Sequence, residues 1–160
     1  MLTDRNKTCC FTGHRQIPND ALIPALRALE SAIRTLYDEG YRHFIAGGAL
    51  GFDTYAARAV LILKRGRPDM TLSLFLPCQD QAEAWSARDR AEYERIKEEA
   101  DEVLTLADRY FDGCMQKRNQ AMVDASSAVV AFVTRPRSGA GQTVRMAERA
   151  GLTVINTAPK

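Results

Sequence analysis

The chain has 160 residues, 46% of them apolar, and its 22 Lys and Arg against 20 Asp and Glu leave a net charge of +2. That length suits one domain with a real core, and the near-balanced charge excludes a surface given over wholly to nucleic acid, while a local basic patch stays open. The longest apolar runs, such as residues 72–76, are far too short to span a membrane, and the polar start MLTDRNK has no signal-peptide core, so a cytoplasmic, soluble single domain over residues 1–160 with no membrane partner is expected.

The predicted elements alternate between strand and helix. TCCFT (8–12) is a short apolar strand followed by Gly13. Asn19 and Asp20 are expected to cap a helix whose Leu22, Leu26, Leu29, Ile33 and Leu36 recur at steps of four and three on one face. Gly40 stops it. HFIA (43–46) is the second strand, and an Ala- and Leu-rich helix from about Asp53 to Lys64 follows, ended by Gly66. MTLSLFL (70–76) is the third strand, closed by Pro77. The charged segment Glu83 to Glu99 reads as helix, with Trp85, Tyr93 and Ile96 as its apolar points. EVLTL (102–106) is a weaker fourth strand. A helix from about Gly113 to Ala125 precedes the buried strand AVVAFV (128–133). A last helix from about Gly141 to Ala150 ends at Gly151, and TVIN (153–156) is the sixth strand.

Near-continuously apolar strands alternating with helices imply a parallel sheet covered on both faces. Right-handed crossovers then give a doubly wound, Rossmann-like α/β domain. In such folds ligands sit outside the carboxyl ends of the strands, at the point where strand order reverses. The loops after strands one, two and five, TGHRQIP, GGALGFD and TRPRSGAGQT, are therefore where chemistry is sought.

GGALGFD follows a strand and opens a helix. Gly47 and Gly48 present bare backbone N–H groups, and Gly51 permits a close approach, so the helix N-terminus can hold an anion. Asp53 is expected to cap that helix; the alternative is a ribose hydroxyl. Ser138, Gly139 and Gly141 form a second candidate anion loop, with Thr143 in the first turn beyond it. On the helix CMQKRNQAMVD, Met115, Met122 and the pair Arg118–Asn119 share a stripe; a cation there needs a partner, as a structural salt bridge or as a guanidinium fork for phosphate. Gly13, His14 and Arg15 crowd the turn after the first strand, with Arg15 as an anion contact and His14 as a hydrogen-bonding group. His43 reads as structural. Trp85, the one tryptophan, and nearby Gln81 fit a rim over a planar ring. The four cysteines contain no C-x-x-C pair, and only two histidines are present, so no metal site is expected and the cysteines read as reduced structural thiols.

These stretches, CCFTGHR, AGGALGFDTYAA, LPCQDQAEAW, MQKRNQAMVD and SGAGQTVRMAERAG, resemble the SLOG superfamily and within it the YpsA-like branch, over nearly the whole chain. The resemblance implies relatives in the lonely-guy (LOG) phosphoribohydrolases, which cut nucleoside monophosphates at the base–ribose bond, and in the Smf/DprA proteins, which bind single-stranded DNA. It implies binding or sensing of a nucleotide-derived ligand such as ADP-ribose, NAD or an AMP-like molecule, no required cofactor, and a homodimer. The LOG helix motif M-x-x-R-K-x-x-M falls on Met115, Arg118, Asn119 and Met122, so Arg118 is the catalytic candidate if a reaction occurs. The LOG glutamate would stand three residues after Thr143, where this chain has Met146. Glu148, five residues on, lies about 500° around the helix instead of about 300°. Asp53, Glu148 and Asp124 are the remaining acids for a hydrolase reading. Single-stranded DNA binding is the less favoured alternative, because few aromatic residues stand by the glycine loops.

Overall fold

The computed structural model describes residues 4–159. A 3-10 turn (Arg5–Lys7) leads into β1 (Thr8–Gly13), α1 (Asn19–Asp38), β2 (His43–Ala46), α2 (Phe52–Lys64), β3 (Thr71–Leu76), α3 (Ala87–Glu99), β4 (Glu102–Thr105), α4 (Cys114–Asp124), β5 (Ala128–Phe132), α5 (Gly139–Arg149) and β6 (Thr153–Asn156). The six strands form one sheet in the order β4-β3-β2-β1-β5-β6, and every pairing is parallel. The chain is therefore a single α/β, Rossmann-like layer structure with helices on both faces.

Strand periodicity sorts the core. Alternate side chains point to opposite faces, so Cys9 and Phe11 of β1, Phe44 and Ala46 of β2, and Val130 and Phe132 of β5 pack with the apolar sides of α1, α2 and α3. Cys10, Ile45, Val129 and Ala131 pack on the other side with Met122 and Val123 of α4 and Ala147 of α5. Phe52, the first residue of α2, meets Phe11 at 6.5 Å and Phe132 at 6.3 Å between ring centroids. It locks the start of α2 onto the end of the sheet where the loops emerge.

Several local expectations change. Asn19 and Asp20 do not cap α1: Pro18 holds the cap position and makes no side-chain cap bond, since a ring with fixed φ starts a helix without one. The buried stripe of α1 is Ala25, Leu29, Ala32, Ile33 and Leu36, with Leu22 and Leu26 only partly covered. Helix α3 begins at Ala87 instead of Glu83, because the Ser86 hydroxyl accepts from the Asp89 N–H and fixes the start there. Helix α5 begins earlier than expected, at Gly139, where the Ser138 hydroxyl caps the N–H of Gly141. The four cysteines are buried free thiols. Among the described residues no helix is long and apolar enough to cross a membrane, and no three metal-ligating side chains cluster.

The sheet order fixes where a site can form. From β1 the chain moves outward through β2, β3 and β4, then returns to place β5 on the other flank of β1. The order reverses between β1 and β5, so the loops leaving their carboxyl ends diverge and open a crevice there.

Candidate functional site at the carboxyl end of the sheet

The loop after β1 is held against the first turn of α2 and against the loop after β5. The Phe52 N–H donates to the His14 carbonyl at 3.1 Å, and the His14 N–H donates to the Phe132 carbonyl at 3.2 Å. The His14 side chain completes the tie: its Nε2 accepts the N–H of Thr134 at 2.9 Å and of Arg135 at 3.3 Å. An acceptor Nε2 requires the neutral ring with its proton on Nδ1. Burial, then the Arg135 charge, holds the imidazole below its ordinary range, so His14 is a clamp between the two loops.

The glycines are explained first by the protein's own packing. A β-carbon on Gly13 would stand 2.5 Å from the Phe52 ring, and one on Gly141 would stand 2.2 Å from the Pro136 carbonyl oxygen. Gly51 has φ +81° and lies against the backbone of Arg15, so it is both conformationally and sterically required. Gly47 leaves room for two charged groups: a β-carbon there would meet the Arg118 guanidinium at 2.7 Å and the Asp53 carboxylate at 2.9 Å.

Arg118 is only 5% exposed. It donates from Nη1 to the Gly47 carbonyl and from Nε to Asn119 Oδ1 at 2.8 Å, while Nη2 faces the Met115 sulfur. Asp53 does not cap α2. Gly51 holds the cap position, and the Asp53 carboxylate turns back to accept the Ala49 N–H at 3.2 Å. Burial pushes its carboxyl up to about 6, against the opposing pull of the Arg118 charge and the Ala49 bond. Burial also lowers the Arg118 guanidinium, with Asp53 opposing. Cation and carboxylate thus brace the β2–α2 loop from beneath.

Above this support lies a cleft of about 1550 Å³. His14, Arg15, Gly48, Gly51, Asp53 and Trp85 line it, joined by Thr134 and Arg135. Trp85 meets Tyr93 edge to face at 5.1 Å, forming one wall. Gln81 stands behind Gly48, donating to its carbonyl and to the Tyr93 hydroxyl at 3.3 Å each. The other residues singled out in the sequence lie elsewhere. Gly13, Gly47, Arg118 and Asn119 do not line the cleft: Gly47 and Arg118 are buried and Gly13 and Asn119 half-buried. Ser138 is occupied by the Arg135 carbonyl and the Gly141 N–H, and Thr143 by the Gly139 carbonyl, so the serine–glycine turn is closed on itself and only residues 134 and 135 of that segment reach the cleft.

Sequence reading missed Arg58, Arg95 and Arg135 as cleft residues. Arg135 could have been found, because it stands directly in the loop after the fifth strand. Arg58 and Arg95 had no signal: Arg95 sits among polar residues on α3 and Arg58 is the one cation in the middle of the Ala- and Leu-rich α2, each reading as a solvated surface charge.

A doubly wound, all-parallel sheet with a glycine-lined cleft at its reversal point defines the Rossmann-like class of α/β domain. Within that class the chain belongs to the YspA SLOG family, which it matches over residues 11–150. It is 32% identical over 123 residues to the SPbeta prophage-derived protein YoqJ of Bacillus subtilis, covering 69% of this chain and 72% of that one. It is 30% identical over 115 residues to a UPF0398 protein of Halalkalibacterium halodurans, covering 71% of this chain but only 61% of that relative's length. Among solved structures it superposes on DNA processing protein A of Streptococcus pneumoniae with a TM-score of 0.66 at 18% identity, over 93% of this chain and 49% of that one. The Helicobacter pylori protein, described for its single-stranded DNA binding mode, gives 0.65 at 18% identity, over 92% and 63%. At that identity the likeness is one of fold.

Proposed function

We propose that this domain binds or senses a nucleotide-derived ligand of the nucleoside-phosphate or ADP-ribose kind in the cleft between β1 and β5. The observation that carries the reading is the convergence, on one cleft, of the backbone opened by Gly48 and Gly51, the N-terminus of α2, and the guanidinium groups of Arg15 and Arg135. The helix dipole, at an end of α2 that no side chain caps, favours an anion there, and two arginines offer it charge-assisted hydrogen bonds. The Trp85–Tyr93 wall supplies a flat apolar surface for a base. No cofactor is required by this reading, and a cytoplasmic homodimer is its proposed setting.

A second reading, hydrolysis of the base–ribose bond, has one observation in its favour. Of Asp53, Glu148 and Asp124, only Asp53 lines the cleft, and its carboxyl near 6 is matched to proton transfer at neutral pH. Base release from AMP that disappears in Asp53→Asn would favour it.

Thermal unfolding with AMP, ADP, NAD, ADP-ribose and a short single-stranded oligonucleotide tests the proposal. A ligand at one hundred times its dissociation constant adds about 2.7 kcal/mol. A rise in Tm with a nucleotide supports the reading. No nucleotide response, with salt-steep binding of the oligonucleotide, would replace it by a DNA-binding one.

A further inference from the structure

The cleft is larger and more cationic than one phosphate requires. Pockets that enclose a drug-sized ligand occupy roughly 300–1,000 Å³, and this cleft has about 1550 Å³. Besides Arg15 and Arg135 at the reversal point, Arg58 of α2 and Arg88 and Arg95 of α3 line it. Arg58 stands seven residues past Gly51, a rise of about 10 Å along α2, so this second group of cations is well separated from the helix N-terminus.

Glu92 is the counter-charge of Arg58 and Arg95, and Asp89 lines the cleft beside Arg88. The Glu92 Oε1 lies 3.3 Å from Arg58 Nε, and its Oε2 pairs with Arg95. The contact with Arg58 lacks hydrogen-bond geometry, and Glu92 Oε1 is buried without a hydrogen-bond partner. The two arginine side chains are 52% and 64% exposed, the glutamate 21%. Ion pairs to cations that are more than half exposed contribute little to stability, so the two arginines can turn to another anion at small cost.

The geometry points to a second anion subsite at Arg58 and Arg95, which takes a phosphate one nucleoside away from the phosphate at the α2 N-terminus, with the Glu92 carboxylate standing in that place when the cleft is empty. This rests on the proposed nucleotide reading and narrows it: the ligand carries two phosphates separated by a nucleoside. A nucleoside 3′,5′-bisphosphate and a short single strand share that chemistry.

Titration calorimetry with AMP, adenosine 3′,5′-bisphosphate and a 5′-phosphorylated oligo-dA tests it. The quantity read is the ratio of the AMP to the bisphosphate dissociation constant. A charge-assisted contact with two guanidinium groups is worth about tenfold or more in wild type. The ratio should fall towards one in Arg58→Ala with Arg95→Ala, and rise in Glu92→Gln, where the internal competitor is gone. Circular dichroism melts check that both variants keep the wild-type Tm. AMP binding with a ratio near one in wild type, or ratios unmoved in both variants, overturns the second subsite and leaves the nucleotide reading standing. No binding of any of the three overturns the second subsite, and the same silence extended to ADP, NAD and ADP-ribose overturns the nucleotide reading as well. Affinity that keeps rising with strand length assigns the subsite to a strand, and a plateau at the bisphosphate assigns it to a small molecule.

Discussion

The backbone of Gly51 lies directly against that of Arg15: a β-carbon on Gly51 would stand 2.1 Å from the Arg15 carbonyl oxygen. The β2–α2 loop and the β1–α1 loop are thus in main-chain contact, and the cleft inherits its shape from that contact. Gly51→Ala must strain a positive φ and push the loops apart, at a combined cost of about 2–4 kcal/mol. Urea unfolding measures it. Gly66→Ala is the matched control, since nothing lies within 4 Å of a β-carbon there and φ is not positive. It should be neutral or stabilising by about 0.4–1 kcal/mol. Equal effects at the two positions would contradict the packing account.

Arg118 and Asp53 should behave as a coupled pair. Arg118→Met leaves the Gly47 carbonyl without its donor and Asp53 without its cation, which should cost about 2–4 kcal/mol near pH 7.5. Adding Asp53→Asn should recover part of that loss. A double-mutant cycle from denaturant midpoints reads the coupling directly, and simple additivity would show that the two groups do not sense each other.

Asp53 also sets a pH dependence. Burial lifts its carboxyl from 3.8 to about 6, so the native state holds this proton more tightly than the unfolded chain. Its contribution to stability is fully present below the unfolded value and is lost as pH rises through about 6. A displacement of that size corresponds to about 3 kcal/mol. Whatever constant offset the amide introduces, the stability of wild type relative to Asp53→Asn should fall by about that amount between pH 3.5 and pH 7.5. A difference independent of pH would place the carboxylate in water.

His14 works in the opposite direction. Its folded value is depressed, so the unfolded chain binds the proton more readily, and the stability His14 contributes is present above 6.5 and lost as pH falls through the lower folded value. Burial is the main cause and the Arg135 charge the second, and a proton on Nε2 would also displace the N–H groups of Thr134 and Arg135 that it accepts. Nitrogen-detected NMR should show the Nδ1–H tautomer at pH 7 and a titration midpoint below 6.5. A midpoint at or above that value would mean the ring is not an acceptor.

The four inner strands were legible as compact apolar runs, and at the edge TVIN coincides with β6 residue for residue. The start of α3 was not, because residues 79–86 are as polar as the helix they precede, and only the Ser86 cap separates them. The loops that carry the cleft could be found from the order of elements, yet their internal wiring could not. Asp53 looked like a cap because it stands near a helix start, and the deciding fact is the φ of +81° at Gly51, which moves the cap there. The need of Arg118 for a partner was readable from its apolar stripe. That partner is the Gly47 carbonyl, 71 residues away, and only the sheet order brings it within reach.

The central claim is that a nucleotide phosphate sits over the α2 N-terminus at the β1–β5 reversal. Amide chemical-shift mapping during titration with AMP tests it most directly. The expected result is saturable shifts concentrated at residues 14–16, 48–53 and 134–135. Saturable shifts centred instead on β4 or on α5, or a spectrum unmoved at millimolar nucleotide, would contradict it.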